Sequence, residues 1–272
     1  MAGKMAVGEI SPMLLTLIRW VLAFLIIVFF SLNELRKDWP TIRKHALLLI
    51  FFGAFGMALF NILLYSALTK TSAVSGSIVQ AALPAAVYVL NFLFFRTRVT
   101  KYQIAGFVVT LLGVMIVATH GDWTRLATLD LNAGDALVLV AVLVYAVYTV
   151  LLRYKPVLHW KSLITVLSLN AAIAALPFAA WEYMAGTMII PAAKGWAIAA
   201  YTAIFPSLIS QLLFIRGVEL IGPNRAGIFI NLIPIFGTAL AIVILGEKFE
   251  AFHAMALVLV IGGIWLAERK AG

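Results

Sequence analysis

Nine apolar runs, each about as long as a membrane-spanning helix, constrain the fold of this chain more than any other feature. The runs fall at 13–32, 46–68, 72–95, 102–119, 134–152, 162–181, 195–215, 226–245 and 251–267. An α-helix needs about 20 apolar residues to cross the hydrocarbon core of a bilayer. Only 11% of the residues are charged, against about 25% in soluble domains. The sequence therefore predicts an all-α integral membrane protein.

Positive charge lies mostly on one side of these runs. With the carboxyl terminus in the cytoplasm, fourteen Lys and Arg residues fall in cytoplasmic loops and ends and five on the other side, while Arg19 lies inside a run. This excess is the positive-inside pattern, so we predict a multi-pass protein with a cytoplasmic carboxyl terminus. The net charge of +9 indicates no nucleic-acid partner, because no soluble domain or basic patch with interleaved aromatic residues accompanies it.

The second half of the chain repeats the order of proline, charged turn and glycine found in the first half. A shift of 150 residues places Pro84 on Pro234 and Gly113 on Gly263. In both halves a run with a proline near its middle is followed by a short charged turn and then by a glycine-bearing run. Inverted repeats of this kind build secondary transporters, whose substrate site lies between the halves near the middle of the membrane. The repeat therefore favours a transport function.

The repeat leaves one helix without a partner. The run from 134 to 149 has no counterpart, because the matching residues would precede Met1. Each repeat then holds five helices, and an odd number inverts the second repeat relative to the first. We expect a ten-helix (5+5) transporter bundle with a truncated first helix, of which residues 1–8 are the last turns. The first repeat covers 1–119, a connecting loop covers 120–133, and the inverted second repeat covers 134–272.

Several motifs, in their order and spacing, resemble a known family. They are Ile10-Ser11-Pro12 through Leu17-Ile18-Arg19-Trp20, Phe205-Pro206-Ser207 through Gly222, Asn231-Leu232-Ile233-Pro234, and Leu245-Gly246-Glu247. Together they are similar to the EamA family of the drug/metabolite transporter superfamily over essentially the whole chain, and within it to the YddG-type exporters of aromatic amino acids and metabolites. Arg96-Thr97-Arg98 stands where that family often has a Gly-Glu turn.

The resemblance implies a function and a location. It implies a secondary transporter of the bacterial inner membrane that exports small organic solutes, above all amino acids including aromatic ones. Transport would proceed by alternating access through a central cavity between the two inverted repeats. The expected partners are a small-molecule substrate, the lipid bilayer and a second copy of the chain in a homodimer.

Matched prolines mark two candidate broken helices. Four residues at spacings of 4, 4 and 3 share one face of the third run: Gln80, Pro84, Tyr88 and Asn91. Their repeat partners are Gly227, Asn231, Pro234 and Thr238. A proline inside a span removes a backbone hydrogen bond and can leave a carbonyl free for substrate. We predict that Pro84 and Pro234 kink their helices beside one shared cavity; the alternative is a pair of packing kinks.

Polar side chains at helical spacing within the apolar runs are the candidate substrate contacts. We predict that seven of them bind substrate: Tyr65, Gln80, Tyr88, Tyr145, Ser207, Gln211 and Asn231. A tyrosine offers a ring for apolar contact and a hydroxyl for hydrogen bonding, which suits an amino acid with a hydrophobic side chain. Hydrogen bonding between neighbouring helices is the alternative role for each residue.

Arg19 is the one cation well inside a run. Its guanidinium can bind a substrate carboxylate through two parallel hydrogen bonds. The alternatives are that the side chain snorkels to the membrane surface or caps carbonyls of a neighbouring helix. Glycines at 53, 56, 106, 113, 262 and 263 are interpreted as helix-packing positions.

Catalytic machinery is missing from the runs. All eleven carboxylates and four histidines fall at helix ends or in loops, so we expect them to lie near water and to carry no coupling proton. The sequence contains no zinc-protease motif, P-loop or nucleophile elbow. We therefore predict no enzyme activity, no cofactor and no metal site. Two alternatives are left open. One is a membrane enzyme that acts on a lipid-linked substrate. The other is a carrier of phosphorylated sugars or nucleotide sugars, and such a carrier would need several buried cations to bind the phosphate groups.

Overall fold

A computed structural model describes residues 5–71, 76, 79–119, 121–124, 132–233, 235–236 and 250–268. All regular structure in these ranges is helical. The helices are α1 (Pro12–Val28), α2 (Leu32–Lys44), α3 (Ala46–Leu68), α4 (Leu83–Phe95), α5 (Lys101–Thr119), α6 (Ala133–Tyr154), α7 (Trp160–Met184), α8 (Ala193–Ile221), α9 (Pro223–Ile228, continued as a 3-10 turn over Phe229–Asn231) and α10 (Ala251–Glu268).

Several of these helices have the length and composition of membrane spans. Four of them, α3, α6, α7 and α8, are long and apolar enough to cross a membrane, and α1 with α2 makes a fifth if that bent pair is one span. Helices α4, α5 and α10 are apolar but shorter over their described residues. The prediction of an all-helical chain with membrane-length helices is confirmed for the described part.

The segment between the first two apolar runs is a helix, which corrects the sequence-based expectation of a loop there. Helix α1 ends at Val28, and α2 leaves it at an angle of 110°. The Ser31 hydroxyl donates to the Val28 carbonyl at 3.0 Å and lies 2.9 Å from the Thr165 hydroxyl of α7. Ile42 is buried, so one face of α2 packs on the protein. A search for apolar runs did not find this helix, because α2 contains four basic residues.

Glycines let the central helices approach closely. A Cβ atom at Gly53 would lie 2.5 Å from Asn170 Cβ, and one at Gly56 would lie 2.2 Å from Tyr148 Cδ2. Such distances leave no room for a side chain. The packing role predicted for these two glycines is confirmed, and α3 is thereby held against α6 and α7.

Helices α5 and α10 form a second closely packed pair. A Cβ atom at Gly106 would lie 2.4 Å from the Gly263 carbonyl oxygen, and one at Gly113 would lie 2.7 Å from Val260 Cγ2. The packing role is confirmed at these three glycines. It is wrong for Gly262 within the part of the chain that the structure describes: a Cβ atom there would meet no described atom within 4 Å, because that position faces away from α5.

A buried carboxylate caps the start of α1. Glu182, near the end of α7, accepts hydrogen bonds from the Ser11 hydroxyl at 2.6 Å and from the Leu14 and Met13 backbone N–H groups at 3.0 and 3.3 Å. Asp135 closes a capping box with Asn132 at the start of α6. Both carboxylates are only 4% exposed, so the expectation that every acid lies near water is wrong. The unpaired N–H groups and positive dipole of a helix start stabilise a buried carboxylate.

Removing the Glu182 carboxylate is expected to destabilise the bundle. Glu182→Ala leaves three buried or half-buried donors without an acceptor, so we expect a loss of about 1–3 kcal/mol in unfolding free energy. Glu182→Gln keeps an acceptor oxygen and should lose less. The stability of both variants can be measured by thermal unfolding of the purified protein, with the helical circular dichroism signal as the readout. Equal stability of Glu182→Ala and the unmutated protein would contradict the capping role.

Candidate functional site

Arg19 lies in the middle of α1 and joins three helices. Its Nε donates to Ser207 Oγ of α8 at 2.8 Å, and its Nη1 donates to Asn61 Oδ1 of α3 at 2.7 Å and also to the Tyr65 hydroxyl. We call these four residues the Arg19 group. Arg19 is 3% exposed, so snorkelling to the surface is wrong for this side chain. Of the predicted contacts, Tyr65 and Ser207 are brought directly to Arg19.

The charge of Arg19 has no acidic partner in the described part of the chain. The ion pairs there join Lys155 and Arg216 to Glu219, Lys161 to Glu34, and Lys194 to Glu9. The three hydrogen-bond partners of Arg19 are neutral, and its Nη2 donates to no described residue. The Trp20 and Tyr65 ring centroids lie 5.0 and 5.8 Å from Arg19 Cζ and supply only weak cation–π attraction. A buried cation held by dipoles alone is a favourable place for an anion.

Two π-helical segments position the site. The first π segment (Phe52–Leu59) lies within α3, the second (Ala203–Ile209) lies within α8, and they begin 151 residues apart. Asn61 follows the first segment and Ser207 lies inside the second. The Ser207 hydroxyl donates to the Thr202 carbonyl five residues earlier at 2.8 Å, which is the reach of a widened turn. Single π turns are frequent at functional sites because they re-aim side chains.

Sequence reasoning missed both π segments. Helix periodicity does not distinguish a π turn from an α turn when nearly every residue is apolar. The available signal was Pro206 within the second segment, because proline removes a backbone N–H and disrupts the regular i to i−4 ladder. The first segment contains no proline, and its glycines pack against neighbouring helices instead.

An aromatic cluster lies one helical turn from the Arg19 group. The Tyr145 ring on α6 lies 4.5 Å from the Phe60 ring and 5.5 Å from the Phe214 ring, between centroids. Gln211 is close to the Tyr145 hydroxyl, and its Oε1 is buried and has no hydrogen-bond partner among the described residues. Gln211 follows Ser207 by four residues, which is about one turn. Phe60, Tyr145, Gln211 and Phe214 are called the Tyr145 group below.

Three predicted residues contact other parts of the bundle. Asn231 donates to the Thr110 hydroxyl at 2.9 Å, and its buried Oδ1 has no hydrogen-bond partner in the described ranges. The Tyr88 ring is buried and contacts the Phe107 ring at 6.4 Å. Gln80 is half-buried just before α4. The Phe107 contact of Tyr88 and the Thr110 contact of Asn231 are both with α5, whereas the hydrogen bonds of Arg19 go to Ser207, Asn61 and Tyr65.

Pro84 stands at a helix start rather than in a mid-helix kink. It occupies the first turn of α4, after a turn at 81–82 that separates this helix from residues 79–80. Proline is tolerated in the first turn, where its missing N–H has no intrahelical acceptor. We expected a kink within one continuous helix; the structure instead has a two-residue turn before Pro84 that interrupts the helix. Pro234 lies outside the described residues, so its kink stays a prediction.

A small cavity at the amino-terminal end of α1 reaches the Arg19 group. It is lined by Ala6, Ile10, Ser11, Leu15, Tyr65 and Thr69, among others. Tyr65 borders this cavity and contacts Arg19 with its hydroxyl. Among the described residues, no three His, Asp or Glu side chains are grouped so that they could hold a metal ion. The arrangement suits binding of an organic anion or zwitterion.

Comparison with known proteins identifies the family. The model of the EamA-like transporter family matches residues 1–119 and 132–268. The chain is 26% identical to the uncharacterized transporter YetK of Bacillus subtilis, over 98% of this chain and 82% of that one. It is 25% identical to the uncharacterized inner membrane transporter YicL of Salmonella typhimurium, over 95% and 86%. A protein of known crystal structure shares the fold, with a TM-score of 0.77 and 18% identity over 98% and 90% of the two chains.

These matches confirm the family resemblance in the motifs. The family and the relatives are transporters, which places the chain outside the enzyme class considered above. Together with its membrane-length helices, they make it a multi-pass membrane transporter of small molecules. The chain belongs to the EamA-like transporter family.

Proposed function

We propose that the protein exports small organic solutes that carry a carboxylate, above all amino acids including aromatic ones, across the bacterial inner membrane. The observation that carries this proposal is Arg19, a buried guanidinium that has no acidic partner among the described residues. A charge in that position costs free energy until an anion neutralises it. A substrate carboxylate supplies the negative charge and two acceptor oxygens that match a guanidinium fork.

The Tyr145 group suits the rest of an aromatic amino acid. Its three rings supply an apolar, aromatic surface on which a substrate ring can pack edge-to-face or offset. The buried Gln211 Oε1 is an acceptor for the substrate ammonium group, which can donate three hydrogen bonds. A cation, a hydrogen-bond acceptor and an aromatic surface at neighbouring positions match the three parts of an aromatic amino acid, which supports placing the protein with the YddG-type exporters. Gln80, Tyr88 and Asn231 are proposed to line the other wall of the pathway.

The transport cycle is proposed to be alternating access between two inverted five-helix repeats, 1–119 and 134–272, in a ten-helix bundle. The two π segments support this architecture, because they lie in the middle of long spans at nearly the spacing of the internal repeat. The break before Pro84 supports a discontinuous helix of the kind that forms substrate sites in such carriers. Pro84 and Pro234 are the proposed hinge positions, and a cytoplasmic carboxyl terminus follows from the positive-inside pattern.

Counterflow in liposomes holding the purified protein tests the proposal. Radiolabelled phenylalanine should accumulate transiently in vesicles preloaded with unlabelled phenylalanine, and the uptake should saturate. External 3-phenylpropionate, which lacks the ammonium group, should compete weakly, whereas phenethylamine, which lacks the carboxylate, should not compete. Equal competition by both analogues, or absence of counterflow for every amino acid, would overturn the assignment.

A carrier of phosphorylated sugars is the second candidate within transport. Recognition of a phosphoryl group usually takes several cations. Among the described residues, Arg19 is the only Lys or Arg that is buried and has no acidic partner, because the Lys155 side chain, 6% exposed, pairs with Glu219. The same counterflow assay with glucose 6-phosphate separates the two: the amino-acid proposal expects no counterflow of the sugar phosphate.

A further inference from the structure

Helix α2 has the geometry of a helix that lies along the membrane surface. It leaves α1 at 110°, so if α1 crosses the bilayer, α2 runs nearly parallel to the membrane plane. The bend carries two exposed rings, Phe29 and Phe30, and beyond the other end of α2 the second residue of α3, Leu47, is 85% exposed. Exposed apolar side chains at both ends of such a helix indicate that it rests on the acyl chains below.

The acidic residues of α2 are directed to the protein. Asp38 Oδ2 accepts the His159 backbone N–H at 2.9 Å, and Glu34 pairs with Lys161 Nζ at 3.5 Å. A hydrogen bond from its own backbone N–H, together with the positive charge of Lys161, lowers the pKa of the Glu34 carboxyl. Both contacts are with the start of α7. The negative charges of α2 are thus engaged inside the molecule.

The basic residues of α2 point outward without acidic partners. Arg36, Lys37, Arg43 and Lys44 are exposed and form no ion pair with a described residue. At 100° per residue, Arg36 and Arg43 fall on the same side as Leu32 and Trp39, which are 50% and 60% exposed. Lys37 and Lys44 fall more than a quarter-turn farther round the helix. Two arginines therefore flank an exposed tryptophan on the apolar side.

We infer that α2 is a binding surface for anionic phospholipids, in which Arg36 and Arg43 bind the headgroup phosphates and Trp39 lies between them at the headgroup level. Arginine presents a planar fork that matches phosphate oxygens, and its stem can reach from the acyl boundary to the headgroups. Tryptophan is enriched at this depth of the bilayer. Charge complementarity selects an anionic headgroup, such as phosphatidylglycerol, over a zwitterionic one.

Bound lipid would be coupled to the transport bundle through α7. The Ser31, Glu34 and Asp38 contacts all lead to residues 159–165. Helix α7 also packs along α1, which carries Arg19. The lipid-binding helix α2 therefore contacts α7, which packs on the helix that carries Arg19. The lipid-binding inference does not depend on which solute is transported.

Two double variants with the same charge change test the surface. The full chain is placed in nanodiscs, and the association of spin-labelled phosphatidylglycerol is compared with that of spin-labelled phosphatidylcholine. Arg36→Gln with Arg43→Gln should weaken the preference for phosphatidylglycerol about 30-fold, since each basic residue near the surface contributes about 1 kcal/mol. Lys37→Gln with Lys44→Gln should weaken it clearly less, because these two side chains start more than a quarter-turn away from the Trp39 side and lie farther from the bound phosphates.

Several outcomes would overturn the inference. Equal losses in the two double variants would show diffuse surface charge rather than a site on the Trp39 side. No loss in the arginine variant would show that the helix is held by apolar contacts alone, and competition by millimolar inorganic phosphate would show a soluble anion site. If the arginine double variant does not fold, the single variants Arg36→Gln and Arg43→Gln should each show about a fivefold loss, and unchanged binding in both would refute the site.

Discussion

Arg19→Gln is expected to lower amino-acid transport about 100-fold while leaving the protein as stable as before, or more stable. In the proposed complex the guanidinium and the substrate carboxylate are a buried pair, and removing one member of such a pair costs about 2–5 kcal/mol of binding. Counterflow of phenylalanine should therefore fall about 100-fold in kcat/KM. The free protein loses a buried cation that has no acidic partner among the described residues, so its unfolding free energy should not fall.

The opposite signs of these two effects separate a functional from a structural role. A merely structural Arg19, which bonds Ser207, Asn61 and Tyr65, would lower thermal stability when replaced by glutamine. Arg19→Lys is the matched variant, because it keeps the charge but loses the planar fork, and we expect it to recover only a minor part of the transport. Counterflow of Arg19→Gln within threefold of the unmutated protein would remove Arg19 from the substrate site.

Gly56→Ala is expected to have the largest effect on folding. The added Cβ would lie 2.2 Å from Tyr148 Cδ2, and Tyr148 is fully buried, so neither helix can give way without repacking. Overpacking of this kind costs about 3 kcal/mol. We expect a large fall in the thermal midpoint in detergent, or loss of the monodisperse peak in size-exclusion chromatography.

The control and the rescue for this prediction lie in the same chain. Gly262→Ala adds a Cβ that meets no described atom within 4 Å and should stabilise α10 by up to about 1 kcal/mol through helix propensity. Tyr148→Ala removes the ring that clashes, so the double variant with Gly56→Ala should be more stable than the sum of the single effects predicts. A thermal midpoint of Gly56→Ala that equals that of Gly262→Ala would show that α3 and α6 are not packed as described.

Much of the architecture followed from local sequence. The apolar runs at 46–68, 134–152, 162–181 and 195–215 coincide with the four described helices of membrane length. Transfer of an apolar residue into lipid is favourable wherever the residue lies in the chain, so a sum over about 20 residues predicts a span without knowledge of its neighbours. The family resemblance was also local, because short motifs in a given order carried it.

The candidate site was only partly accessible to the same reasoning. Arg19 stood out because a cation inside an apolar run is costly, and helical spacing selected Tyr65, Ser207 and Gln211. Periodicity gives the face of a helix, but it does not give the helix that the face will meet. It therefore did not separate Tyr65 and Ser207, which contact Arg19, from Tyr88 and Asn231, which contact α5.

The sequence by itself determined which residues enter the membrane and which family the chain belongs to. It also determined which polar side chains lie in apolar runs, where their transfer into the membrane costs free energy. Only the tertiary structure decided how those side chains are partnered. Glu182 caps α1 from about 170 residues away, Ser207 reaches Arg19 across 188 residues, and the basic segment 32–44 is a helix because one of its faces packs on α7. Burial in lipid is a property of each residue, whereas a hydrogen bond or a close helix contact exists only when two distant parts of the chain meet.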